Sequence, residues 1–133
     1  MNLFVDLKAA LMNVPAIVSL VGGSTTPRIW NSWARTYPTP CIVMDIDRES
    51  ENNDLSGKGG LITADVTVTC RTDTHDTSDE LQELVRSALA GYSGTFEAIL
   101  DDTTHAEIEK NDGSTGHWYD HVMSFTMLWL EAV

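Results

Sequence analysis

The run RTDTHDTSDELQEL, residues 71–84, places Asp73, His75, Asp76, Asp79 and Glu80 within eight positions. Imidazoles and carboxylates at that density could ligate a divalent metal or exchange protons with a substrate. The residues that follow point to a plainer role. Thr77 and Glu80 have the T-x-x-E spacing of a capping box, directly before Leu81, Leu84, Val85, Ala88 and Leu89 at helical spacing. Acids in a first turn also complement the positive end of the helix dipole, which accounts for Asp79 and Glu80. A metal held by Asp73, His75 and Asp76 would need convergent ligands, and on an extended approach to the helix positions 75 and 76 point apart. The cluster is therefore expected to be the solvated start of a helix, with Thr77 as its cap and no metal.

HWYDH, residues 117–121, sets His117 and His121 four apart. A helix or a strand puts both on one face, but the H-E-x-x-H glutamate is missing and Tyr119 shares that strand face, so strand-end histidines near a turn are expected. Nothing points to a catalytic nucleophile. The sequence has no G-x-S-x-G elbow, and GKGGL, residues 57–61, follows a loop and precedes a strand, the reverse of a phosphate cradle opening a helix. Neither an enzyme nor a cofactor is expected.

The balance of 20 acidic against 8 basic side chains, a formal charge of -12, repels phosphate backbones and argues against a nucleic-acid clamp. No apolar run reaches the roughly 18 residues that cross a bilayer, and MNLFVDLKAALMNVPAIVSL lacks a basic leader, so a soluble chain made and kept in a cytosol is expected. In that reducing setting Cys41 and Cys70, each inside an apolar run, read as buried thiols and not as a disulfide.

At 133 residues the chain has the size of one domain, 1–133, with a core of its own. Leu3, Leu7, Ala10 and Leu11 predict an amphipathic helix that Pro15 breaks or restarts, and the two glycines of AIVSLVGG stop it. TTPRIWNSW and TPCIVMDID read as extended, the second giving way after Ile46 to an acidic loop from Asp47 to Gly60, too long for a tight turn. ITADVTVTCR alternates Ile62, Ala64, Val66, Val68 and Cys70 against Thr63, Asp65, Thr67, Thr69 and Arg71, the pattern of a strand wet on one side. After the helix that begins near Thr77, Gly91 fits a left-handed cap. Two strands with a turn at NDGSTG then complete the chain. The last sets Met123, Phe125, Met127 and Trp129 on one face, with Trp129 as core, and apolar residues on both faces predict a central strand. Trp30 and Trp33 fit either core or a partner surface. The expected fold is α+β: a mixed, mainly antiparallel sheet of four or five strands, two helices on one face and a long hairpin loop.

Taken in order, MNLFVDLKAALMNVPAIVSLVGG, PRIW, PTPCIVMDID, LSGKGGLITADVTVTCRTDT, DELQELVRSALAGYSG and HVMSFTMLWLE run over nearly the whole chain. In that order they resemble the tail-completion, or tail-terminator, proteins of long-tailed bacteriophages. The resemblance lies in the order of elements and carries over no family contact residue.

The resemblance implies a structural virion protein made in the host bacterial cytoplasm. Its subunits would form a homo-oligomeric, typically hexameric, ring on the head-proximal end of the tail tube. That ring would stop tube polymerisation, join the tail to a neck or head-completion protein, and let DNA through its lumen without specific binding. On this reading the acidic loop, through Asp47, Glu49, Glu51, Asp54 and Lys58, is the candidate contact to a neighbouring subunit, to the tube or to the lumen. Three rivals remain: another neck component such as a head-closure or adaptor ring subunit, a small metal-dependent enzyme using His75, His117 or His121, and a monomeric adaptor binding a peptide along a sheet edge.

Overall fold

The computed structural model describes residues 3–32, 38–52, 61–110 and 115–130. Eight elements follow one another: α1 (Leu3–Met12), α2 (Pro15–Leu20), β1 (Ile29–Asn31), β2 (Cys41–Asn52), β3 (Leu61–Thr72), α3 (His75–Leu89), β4 (Glu97–Glu109) and β5 (His117–Leu130). The five strands form one sheet in the order β1-β2-β3-β5-β4, with β1 parallel to β2 and the other neighbours antiparallel. This is the expected α+β fold with a mixed sheet, and β5 is central as its two half-apolar faces predicted.

Proline sets the first difference from expectation. Pro15 lies in the first turn of a separate helix, where its missing N–H has no partner to lose, so three helices form and not two. Leu3, Leu7 and Leu11 bury the predicted stripe of α1, and Ile17 buries α2. Gly22 and Gly23 then turn the chain at φ +99° and +95°, and Arg28 ties that turn to the sheet by donating from Nε to the Pro40 carbonyl at 2.7 Å and from Nη2 to the Leu20 carbonyl at 3.3 Å.

α3 rests on β3 and β5, and α1 and α2 lean on α3. The buried cluster between them takes Leu81, Val85 and Leu89 from α3, Ile42 and Met44 from β2, and Val66, Val68 and Cys70 from β3. Met123, Phe125, Met127 and Trp129 fill the β5 face as the alternation predicted.

The start of α3 is corrected. The N-cap is Thr74, not Thr77, and the helix begins at His75. Thr74 Oγ1 accepts from the Thr77 backbone N–H at 3.3 Å and donates to Thr77 Oγ1 at 2.7 Å. Thr77 is therefore the third helical residue, and the exposed Glu80 lies a turn further on without closing a capping box. Positions 75 and 76 are helical, not extended. Thr74→Ala should lower stability by about 1 kcal/mol in urea melts and Thr77→Ala by only a few tenths, the reverse of what a cap at Thr77 would give.

Candidate assembly surface

One sheet face takes the helices; no described helix covers the other. Its side chains follow from register. Five rows cross the sheet: Cys41–Arg71–Asp120–Ala106, Val43–Thr69–Val122–Thr104, Asp45–Thr67–Ser124–Asp102, Asp47–Asp65–Thr126–Ile99 and Ser50–Thr63–Leu128–Glu97. The character of the face changes along these rows.

At the first row the face is closed. Arg71 grips Asp120 with two hydrogen bonds, Nε to Oδ1 and Nη2 to Oδ2, both 2.8 Å. The Arg71 guanidinium lies 4.3 Å from the centre of the Trp118 ring, a cation–π contact. Asp120, Trp118, Cys41, Val43 and Thr69 are all buried here. Planarity lets arginine bind a carboxylate with its edge while an aromatic ring covers its face.

Toward the hairpin end the same face is open and acidic. Asp47 and Asp65 are exposed and stand directly opposite each other, an arrangement that costs about 0.2–1 kcal/mol relative to a neutral pair. A β-bulge between Leu100 and Asp102 brings Asp101 to the same face, where its Oδ2 accepts from Thr126 Oγ1 at 2.6 Å. Asp102, Glu97 and the half-exposed Ile99 continue the patch. Arg71 is the only Lys or Arg in any strand whose side chain is described, and Asp120 already holds it. Among the described side chains the patch holds no Lys or Arg as a counter-charge.

The long acidic loop expected from Asp47 to Gly60 is shorter than the sequence implied. β2 continues to Asn52 and pairs with β3 down to Leu61, with a bulge between Asp47 and Ser50. Asp47 and Glu51 are thus strand residues, Glu51 in register with Ile62, and Glu49 falls in the bulge. Asp54 and Lys58, like Trp33, lie outside the described residues.

Both sheet edges are partly unpaired among the described residues. β1 borders only Ile42–Met44, leaving the rest of β2 without a neighbour on that side, and β4 borders β5 on one side while its other side meets Gly91, Tyr92 and Ser93 only around Glu97 and Ala98. Trp30 lies half-buried on β1 opposite Val43. Open edges present unpaired N–H and C=O groups to any approaching strand.

The histidine candidates gather at the other end of β4 and β5, on the helix-covered side. His121 Nδ1 is 2.6 Å from Ser78 Oγ, and its Nε2 is 3.3 Å from Asp79 Oδ1. His75 Nδ1 is 3.3 Å from Asp79 Oδ2, and the His105 ring stacks near His121 with centroids 5.8 Å apart. Burial lowers the His121 pKa against the opposing pull of Asp79. His117 stands apart, 3.7 Å from Glu107, and does not converge with His121. Asp76 is exposed in the first turn of α3. Asp73 leaves the cluster to bind Lys110 at 2.7 Å and Thr39 at 2.5 Å. His105 is the member the sequence did not reveal.

Cys41 and Cys70 are free, buried and on opposite sheet faces. Burial pushes the Cys41 thiol up to about 12, with Arg71 the largest opposing influence, and raises Cys70 as well. Neither thiol should react with a disulfide reagent at pH 8 until the protein is unfolded. Fast labelling of the native protein would show that the strands around them open.

The family described as tail completion protein gp17 matches residues 5–128. The chain belongs to this family. It is therefore a structural protein of the phage tail and neck, a virion component, and the resemblance read from the order of its elements is confirmed. No curated protein sequence matches the chain. Among solved structures it is similar to a chain of the virion of the native gene transfer agent particle, with a TM-score of 0.54 and 15% identity, over 92% of this chain and 91% of that one. At that identity the likeness is one of fold. No described helix is long and apolar enough to cross a membrane.

Proposed function

We propose that this family member is a tail terminator: a subunit of a homo-oligomeric ring, of about six copies, on the head-proximal end of the tail tube. The ring stops tube growth and offers its other side to a neck or head-completion protein. The observation that carries this is the pair of unlike open edges, distal β2 on one side of the sheet and β4 on the other. Copies that meet through two different edges make heterologous contacts, and heterologous contacts close into rings when the rotation allows. The virion protein in the similar particle supports an assembly role for this fold.

The acidic patch of Asp45, Asp47, Asp65, Asp101 and Asp102 fits a wall along which DNA slides without being held, because its described side chains repel phosphate and include no Lys or Arg. Asp47, with Glu49 and Glu51 further along β2, is the proposed contact to a neighbouring subunit or the tube, and the same role is proposed for Asp54 and Lys58, which lie outside the described residues. No cofactor and no catalysis enter this role.

Native mass of the untagged protein over a concentration series, with negative-stain images of the heaviest species, tests the ring. Closed rings of about six subunits are expected, free or when tail tubes are supplied. A chain that stays monomeric in both conditions overturns the reading and favours the single-partner adaptor.

A further inference from the structure

Toward the hairpin the uncovered sheet face ends in apolar side chains that are open to solvent. Leu61 of β3, Leu128 of β5 and Ile99 of β4 share that face by register. Leu61 is 36% exposed and Ile99 51%, two of the four large hydrophobic side chains most open to solvent among the described residues. A groove of about 400 Å³ opens between Leu61, Leu128 and residues 94–97, with Phe96 and Trp129 as its buried lining. Tyr92 stacks on Phe96 with ring centroids 4.5 Å apart and holds that wall in place.

Acids border the apolar patch. Glu97 lines the groove itself. Asp47 and Asp65 stand in the row of Ile99, and Asp101 is bonded to Thr126 of the same row. We propose that this patch docks a segment of the tail tube subunit in which an apolar anchor is flanked by Lys or Arg, an inference that rests on the reading of the chain as a terminator seated on the tube.

The border selects the occupant. Two copies meeting through this face would set Asp65, Glu97 and Asp101 against the same acids, and like charges across an interface suppress the pairing. The helix side of a second copy fits no better. Of the Lys and Arg side chains that are described, Arg71 is paired with Asp120, Lys110 with Asp73, and Arg28 with two backbone carbonyls. Lys8 and Arg86 remain, on helices where Asp6, Asp76, Asp79, Glu80 and Glu83 outnumber them. DNA carries the charge of the border and is repelled by it. A basic partner neutralises the acids as it arrives and buries Leu61, Ile99 and Leu128 behind them, an apolar centre within a charged rim. The same border keeps so open an apolar patch from chance association before the tube is met.

Co-sedimentation of the untagged chain with tail tubes isolated from the phage lacking this gene tests the docking, at roughly 50 and 500 mM salt, where rim charges first act and are then screened. The native chain should bind, and more weakly at the higher salt. Leu61→Thr with Ile99→Thr, which alters two exposed side chains, should weaken binding at least about tenfold at either salt. Glu97→Gln with Asp101→Asn should bind more weakly than the native chain at low salt and equally at high salt. Val5→Thr, at a position 55% exposed on α1, should bind as the native chain does. Undiminished binding by the Leu61 and Ile99 variant overturns the docking alone, as does native binding that is no weaker at high salt. A native chain that binds no tube overturns the terminator reading with it. Sedimentation velocity without tubes covers the other occupant: native dimers that the Leu61 and Ile99 variant abolishes would assign the patch to a second copy and overturn the proposal.

Discussion

Asp120→Ala should lower the unfolding free energy by about 3–5 kcal/mol, the range found when one member of a buried ion pair is removed. The carboxylate is 3% exposed, accepts both arms of the Arg71 fork, and lies beside the Trp118 ring that covers the guanidinium. A domain of this size has about 5–15 kcal/mol in total, so the variant should melt roughly 10–20 °C lower. Asp120→Asn keeps one acceptor and should lose less. Urea denaturation with the circular dichroism signal decides it: a loss under about 1 kcal/mol would mean that the pair is a surface bridge and that this end of the sheet is open like the other.

Reversing the acidic hairpin surface should separate assembly from folding. In Asp47→Lys the new ammonium faces Asp65 across β2 and β3, so an opposition of like charges becomes an ion pair. Its thermal stability should stay level or rise by a few tenths of a kcal/mol. Asp47→Lys with Glu49→Lys and Glu51→Lys shifts the net charge by six units, from -12 to -6, and concentrates that change on the surface proposed to meet neighbours, tube or DNA. The yield of infectious particles should fall by at least about tenfold, with the protein still folded, because like-to-opposite charge changes at an interface cost several kcal/mol. Normal infectious particles from the triple variant would remove the hairpin acids from the assembly surface.

Legibility from the sequence followed the strength of each local signal. The alternation of β3 and the heptad-like apolar spacing of α3 were legible because burial on one face writes a period directly into the chain. The extension of β2 was hidden because Asp47, Glu49 and Glu51 have the composition of a loop, while the ladder to β3 pairs Asp47 and Glu51 on either side of the bulge that takes Glu49. The cap at Thr74 is hidden because the turn His75-Asp76-Thr77 carries no apolar mark, while the T-x-x-E spacing of Thr77 and Glu80 before Leu81 points to a cap at Thr77.

The histidine site shows a deeper limit. Ala98 and Leu100 set an even-numbered phase for the covered face of β4, which places His105 on the opposite side. The single extra residue at the bulge reverses that phase and brings His105 beside His121. Arg71 and Asp120 were beyond local reading for a related reason: they are 49 residues apart and meet only through the pairing of β3 with β5.

The most direct test of the terminator reading is the length distribution of tail tubes, measured by electron microscopy in lysates of the phage that carries this gene, with the gene deleted. Tubes of uncontrolled length without attached heads, returning to uniform length and joined heads when the gene is supplied in trans, are the expected result. Tubes of normal, uniform length in the deletion would contradict the account and assign the chain to another step of the neck.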